Sequence, residues 1–157
     1  MEKQGYRGIM LLLIFLWAGM ILGISFLEAP LKFQAPNVTL GIGLGIGRLV
    51  FGALNKIELL FSIILIVLSF ITRPSVKFRL LLGLLSMILL FQTTWLLPAL
   101  DERAQIIIDG RIPSGGSPHI IYVVAEIIKL VSLISAGIIF FNNSLKYIQK
   151  EEVWKAS

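Results

Sequence analysis

Four nearly unbroken apolar stretches divide the chain, at about residues 8–27, 49–71, 80–97 and 119–141. Each is at or near the ~20 residues that a helix needs to cross a ~30 Å hydrocarbon core. The pattern predicts an all-α, polytopic membrane protein: a four-transmembrane-helix bundle forming one domain over residues 1–157. The first segment stops at Glu28-Ala29-Pro30, because proline disfavours a helical residue before it. Residues 28–48 and 98–118 are then loops on one side. Thr72-Arg73-Pro74 makes a short turn on the other, and the polar tail 142–157 predicts a helix that frays.

A second pattern lies inside the apolar one. Arg48, Phe51, Asn55 and Glu58 follow spacings of three, four and three, and His119, Tyr122, Glu126 and Lys129 repeat them 71 positions later. Such spacing puts each row on one helical face. The second and fourth segments run in the same direction, so equivalent positions come at equal depth. Two duplicated helical hairpins would set the rows opposite each other about an axis along the membrane normal. Chance similarity of two four-residue stripes is the competing explanation.

Composition sharpens the membrane reading. The chain is 57% hydrophobic and 15% charged, with a mean hydropathy of +0.90, which leaves too little polar surface for a soluble domain of 157 residues. Residues 8–27 superficially resemble a signal peptide behind Lys3 and Arg7. The run is longer than a signal core of ~7–15 residues and no small-residue cleavage site ends it, so it reads as the first span. Cysteine is absent, which excludes disulfides and thiolate chemistry.

The net charge of +5 points to membrane topology, with no nucleic-acid partner. Lys3, Arg7, Arg73, Lys77, Arg79, Lys146, Lys150 and Lys155 all flank one side, whereas Lys32, Arg103 and Arg111 lie on the other with Arg48 at the boundary. The positive-inside rule puts the first group, both termini included, in the cytoplasm of a bacterial-type inner membrane.

The connection 31–47 is long for a helical hairpin turn. It either lies on the outer surface or partly re-enters as the lead into the second helix. Gly41, Gly43, Gly45 and Gly47 would permit close backbone approach if helical, and would make a flexible loop otherwise. They are no nucleotide loop: Gly-x-Gly-x-x-Gly is missing and no Gly-Lys-Ser/Thr follows. The Pro-Ser-Gly-Gly-Ser-Pro run at 113–118 reads as a mobile connection.

Charges at membrane depth are costly and usually face a partner, cavity or ligand. Here they gather in the outer half: Glu28 at the end of the first helix, Arg48, Asn55, Lys56 and Glu58 in the second, Asp101 and Arg103 after the third, and the His119 row in the fourth. Gln92 joins them from the third helix. The inner halves are almost pure Leu, Ile, Val and Phe. A polar pocket open to the outside and closed inward follows.

Its residues allow several readings. Glu58 with Lys129, and Glu126 with Arg48 or Lys129, could form purely structural ion pairs, although desolvation offsets most of that attraction. His119, Glu126, Glu58 and Glu28 are the available metal ligands, but His119 and Glu126 lie two turns apart, whereas co-ligation from one helix favours i, i+3 or i+4. Glu126 or Glu58 could move a proton, with Tyr122 and His119 as nearby donors. The function that follows first is binding of a small ligand, proton or ion in an accessory or transport-like role. A membrane enzyme acting on a lipid-soluble substrate and a structural subunit are the alternatives. No cofactor is indicated. The lipid bilayer is one partner, and a second copy or another membrane protein could be a further one.

The stretches Ser25 to Phe33, Gly47 to Phe51, Trp95-Leu96-Leu97-Pro98 and His119 to Lys129 resemble small bacterial four-helix membrane proteins of unknown function. More distantly, the arrangement is similar to the transmembrane protein 205 family. That family has a Trp-Leu-x-Pro near a helix end and a Tyr-His pair opening its last helix; the spacing of His119 and Tyr122 differs from that pair. The resemblance implies the four-helix fold and leaves the activity open.

Overall fold

The computed structural model describes residues 2–113, 116 and 118–156, and of residues 2, 3 and 148–156 the backbone alone. Four helical rods form the chain, each long and apolar enough to cross a membrane. The first consists of Glu2–Ile21, a π-helical segment Leu22–Glu28, a single turn Ala29–Leu31 and a 3-10 turn Lys32–Gln34. The second is Leu40–Thr72. The third runs through Val76–Phe91, a π-helical segment Gln92–Leu96 and Leu97–Ile108. The fourth is Pro118–Ala156. This is an all-α bundle of a multi-pass membrane protein.

The rods are longer than the apolar stretches, for identifiable local reasons. Pro30 and Pro98 do not end the first and third rods, as proline would in an ordinary α-helix. A π-helical segment immediately precedes each proline turn. The wider turn loosens the i→i−4 ladder where the proline ring would collide with it, so the helix carries on. Residues 98–108, read from the sequence as loop, are therefore helical, with Asp109 as the cap. The second rod likewise starts at Leu40 rather than near residue 49. Asn37 takes the left-handed conformation at φ 65°, and the Thr39 hydroxyl accepts the Ile42 N–H at 3.3 Å to cap the helix.

The four glycines consequently lie within a helix rather than in a flexible loop. Two of them make room for side chains from the end of the first rod. A Cβ at Gly43 would fall on the Phe33 ring, and one at Gly47 would lie 3.0 Å from Lys32 Nζ. At the opposite end Arg73 caps the second rod in a left-handed conformation, Pro74 follows, and the Ser75 hydroxyl caps the third. The mobile connection read at 113–118 includes Ser114, Gly115 and Ser117, which lie outside the described residues. So do the side chains of Lys3, Lys150, Glu151, Glu152 and Lys155.

Neighbouring rods pack around a square: first on second, second on third, third on fourth, fourth on first. The second and fourth, which carry the repeated rows, thus face each other across a diagonal. Towards the end that holds both chain termini the interior is apolar, built by Met10, Ile14, Leu65, Phe78, Leu82, Leu85, Leu133 and Phe140. Leu49, Phe70, Leu80 and Met87 are among the large apolar side chains exposed on the outside. A soluble protein could not tolerate so many, whereas lipid can.

Candidate functional site

At mid-bundle the apolar core gives way to a buried charged triad. Lys129 Nζ donates to Glu58 Oε1 at 2.6 Å, across the diagonal, and lies 2.7 Å from Glu126 Oε1 on its own helix. The three residues are only 0–2% exposed. Equal depth on parallel rods, set by the repeated spacing, is what lets Glu58 and Lys129 meet. One step nearer the terminus-free end, Phe51 and Tyr122 also meet, with ring centroids 5.1 Å apart.

The other two rods complete the network. Trp17 Nε1 donates to Glu58 Oε1 at 2.8 Å, Ser25 Oγ to Glu126 Oε2 at 2.9 Å, and Gln92 Nε2 to Glu126 Oε1 at 2.9 Å. Thr93 Oγ1 donates to Asn55 Oδ1 at 3.0 Å. Ser25, Gln92 and Thr93 all come from the two π-helical segments, the kind of turn that often re-aims side chains at functional sites. Tyr122 is buried beside Ser25 and Glu126. Two buried polar atoms among the described residues have no partner: Gln92 Oε1 and Asn55 Nδ2. Each leaves unmet hydrogen-bonding capacity next to the charged network, which is costly unless something else supplies it.

Above this network lies a cavity of about 890 Å³, between the rods at the terminus-free end. Glu126 and Tyr122 form its deep wall, Phe26, Pro30, Phe51, Leu97 and Val123 much of its apolar surface, and Lys32, Arg48, Asp101 and His119 the charged and polar groups of its upper part. The lining is more apolar than the sequence suggested, because the charged groups pair with each other rather than project freely. Arg48 makes a bidentate contact to Asp101, Nη2 donating to Oδ2 at 2.8 Å and Nε to Oδ1, and reaches Gln105 Oε1 at 2.6 Å. Lys32 Nζ lies 3.4 Å from Glu28 and 4.9 Å from the centre of the Phe51 ring.

Glu58 pairs with Lys129 as expected, but Glu126 pairs with Lys129 and not with Arg48, whose partner is Asp101. Asn55, Glu58 and Gln92 sit behind the cavity wall, while Arg48, His119, Tyr122 and Glu126 line it. Glu28 is partly exposed and serves Lys32. Arg103 is turned to the connecting loop, where Nη1 donates to the Gly116 carbonyl at 3.2 Å. Lys56 is exposed on the bundle's outside.

The metal reading of His119, Glu126 and Glu58 loses its geometry. No three His, Asp or Glu side chains converge among the described residues, and the Lys129 ammonium fills the place between the carboxylates that a cation would need. Trp17 and Ser25 escaped sequence reading. Trp17 carried one usable signal, since a buried indole N–H seeks an acceptor; a lone serine in an apolar helix carried none. Compared with family models, with curated proteins and with solved structures, the chain matches none.

Proposed function

We propose that the protein is a membrane-embedded binding protein that takes a small amphipathic molecule into its cavity, in an accessory or transport-like role. One observation carries this reading: an apolar chamber of about 890 Å³ ends on Glu126, a carboxylate wired into a buried charged triad. Ligand sites typically occupy ~300–1,000 Å³, with apolar walls and a few convergent polar groups. The basic residues around the terminus-bearing end, Arg7, Arg73, Lys77, Arg79 and Lys146, favour that end as cytoplasmic in a bacterial-type inner membrane. The chamber would then open outward. The apolar core beneath the triad separates it from the cytoplasm, so the protein presents or senses its ligand unless a larger rearrangement opens the other end.

Native mass spectrometry of protein extracted directly into lipid nanodiscs tests this, with wild type beside Glu126→Gln. Wild type should carry a near-stoichiometric small molecule that the variant largely loses, with both proteins melting within a few degrees. The amide introduced by Glu126→Gln keeps an acceptor for Ser25, and Lys129 keeps Glu58. An empty wild type that is equally stable would instead favour the structural-subunit reading.

A further inference from the structure

We propose that the chamber selects lipophilic ammonium cations, and that binding one displaces a proton held by the Glu58–Lys129–Glu126 triad. The inference rests on the binding reading above and names its ligand class.

Charge balance is the first ground. The charged groups facing the chamber and the network come from all four rods. Glu28 and Lys32 are on the first, Arg48 and Glu58 on the second, Asp101 on the third, and Glu126 and Lys129 on the fourth, with His119 and, beside Glu126, Tyr122 as further titratable groups. Arg48 is matched by Asp101 and Lys32 by Glu28. Lys129 alone then faces two carboxylates, so a fully ionised triad would hold one surplus negative charge at 0–2% exposure. Unbalanced charge at that depth is strongly unfavourable. A proton shared by the pair neutralises it when the chamber is empty, and a cation beside Glu126 would neutralise it equally well.

The lining provides an independent ground. The Phe51 and Tyr122 rings line the chamber; the Lys32 ammonium already lies 4.9 Å from the Phe51 ring centre, which leaves the Tyr122 ring, beside Glu126, to attract a further cation. Every donor already on Glu126, from Ser25, Gln92 and Lys129, belongs to the protein. The ligand therefore need contribute only positive charge and apolar bulk. The exchange balances: one monocation enters, one proton leaves past His119 to the solution, and the buried charge is unchanged.

Three cage compounds of one shape test the sign of the charge: 1-adamantylamine, 1-adamantanol and 1-adamantanecarboxylate. Each is titrated calorimetrically into the nanodisc-embedded protein at pH 7, in two buffers of different ionisation enthalpy, with empty nanodiscs as blanks. The amine should bind at least tenfold tighter than the alcohol and release close to one proton. Glu58→Gln removes the surplus carboxylate, so there the amine should bind at least tenfold more weakly and release none. Equal or tighter binding of the alcohol or the carboxylate overturns the cation class and leaves the chamber standing. Amine binding without proton release overturns the exchange. If none of the three binds, the binding reading fails with it.

Discussion

Replacing Lys129 with methionine should destabilise the protein by about 3–5 kcal/mol, the cost typical of removing one partner from a buried ion pair. The ammonium is wholly buried and lies within 2.7 Å of both Glu58 and Glu126. Without it two carboxylates face each other in an apolar interior, with Trp17, Ser25 and Gln92 as the remaining donors. Methionine matches the stem in shape, so the loss reports charge and hydrogen bonding more than volume. The neighbouring substitutions should be strongly non-additive. Glu58→Gln alone should change stability by less than about 1 kcal/mol, because one ammonium needs one carboxylate and the new amide carbonyl still accepts from Trp17. Glu58→Gln with Glu126→Gln should approach the full loss, since Lys129 is then the uncompensated charge. Adding Glu58→Gln to Lys129→Met should recover part of it. Unfolding by mixed-micelle titration reads these four variants, with Glu126→Gln alone added, as two double-mutant cycles that share Glu58→Gln. A Lys129→Met protein as stable as wild type would show that water or a relaxed backbone solvates the carboxylates, and the triad would lose its place as the bundle's central lock.

How much of this is legible in the sequence depends on the distance over which each feature is determined. The four spans follow from composition along short windows, and the contact between Glu58 and Lys129 follows from matched spacing on two parallel helices. Both are local patterns combined with one topological step. The rod ends are harder to read, because Pro30 and Pro98 look like helix breakers. Whether a proline breaks a helix depends on the turn before it, and a π-helical turn leaves no compositional mark. That same turn aims Ser25, Gln92 and Thr93 inward, so Ser25 is invisible in the sequence and Gln92 is visible without its partner. The pairing of Arg48 is hidden for a related reason. With the third helix expected to stop near residue 97, Asp101 belongs to a loop; once the helix continues, Asp101 and Gln105 lie one turn apart on a face turned to Arg48. The glycines of 41–47 are legible as sites of close approach, but what approaches is the Phe33 ring and the Lys32 amine, which no spacing within the second helix could reveal.

Filling the chamber without touching its charges separates binding from folding most cleanly. Gly52 lines the cavity, and a Cβ there would meet nothing within 4 Å. Gly52→Leu should therefore enter free space while removing a poor helix former from the interior of the second rod. Glycine is less favourable than alanine in a helix by about 1 kcal/mol, and leucine ranks close to alanine. The variant should melt at or slightly above the wild-type temperature, yet bind 1-adamantylamine at least tenfold more weakly. Gly83→Leu supplies the control, because that position is also open but lies on the exposed face of the third rod, away from the chamber. It should bring the same helical gain and leave binding untouched. Gly43→Leu belongs to a third class: its Cβ falls on the Phe33 ring, so any weakened binding there would be mixed with displacement of the ring that closes the end of the first rod. Loss of binding confined to Gly52→Leu would locate the amine in the chamber by volume alone, independently of any argument from charge. Undiminished binding in that variant would put the amine on the lipid-facing surface, where the exposed apolar side chains offer a site that no carboxylate governs.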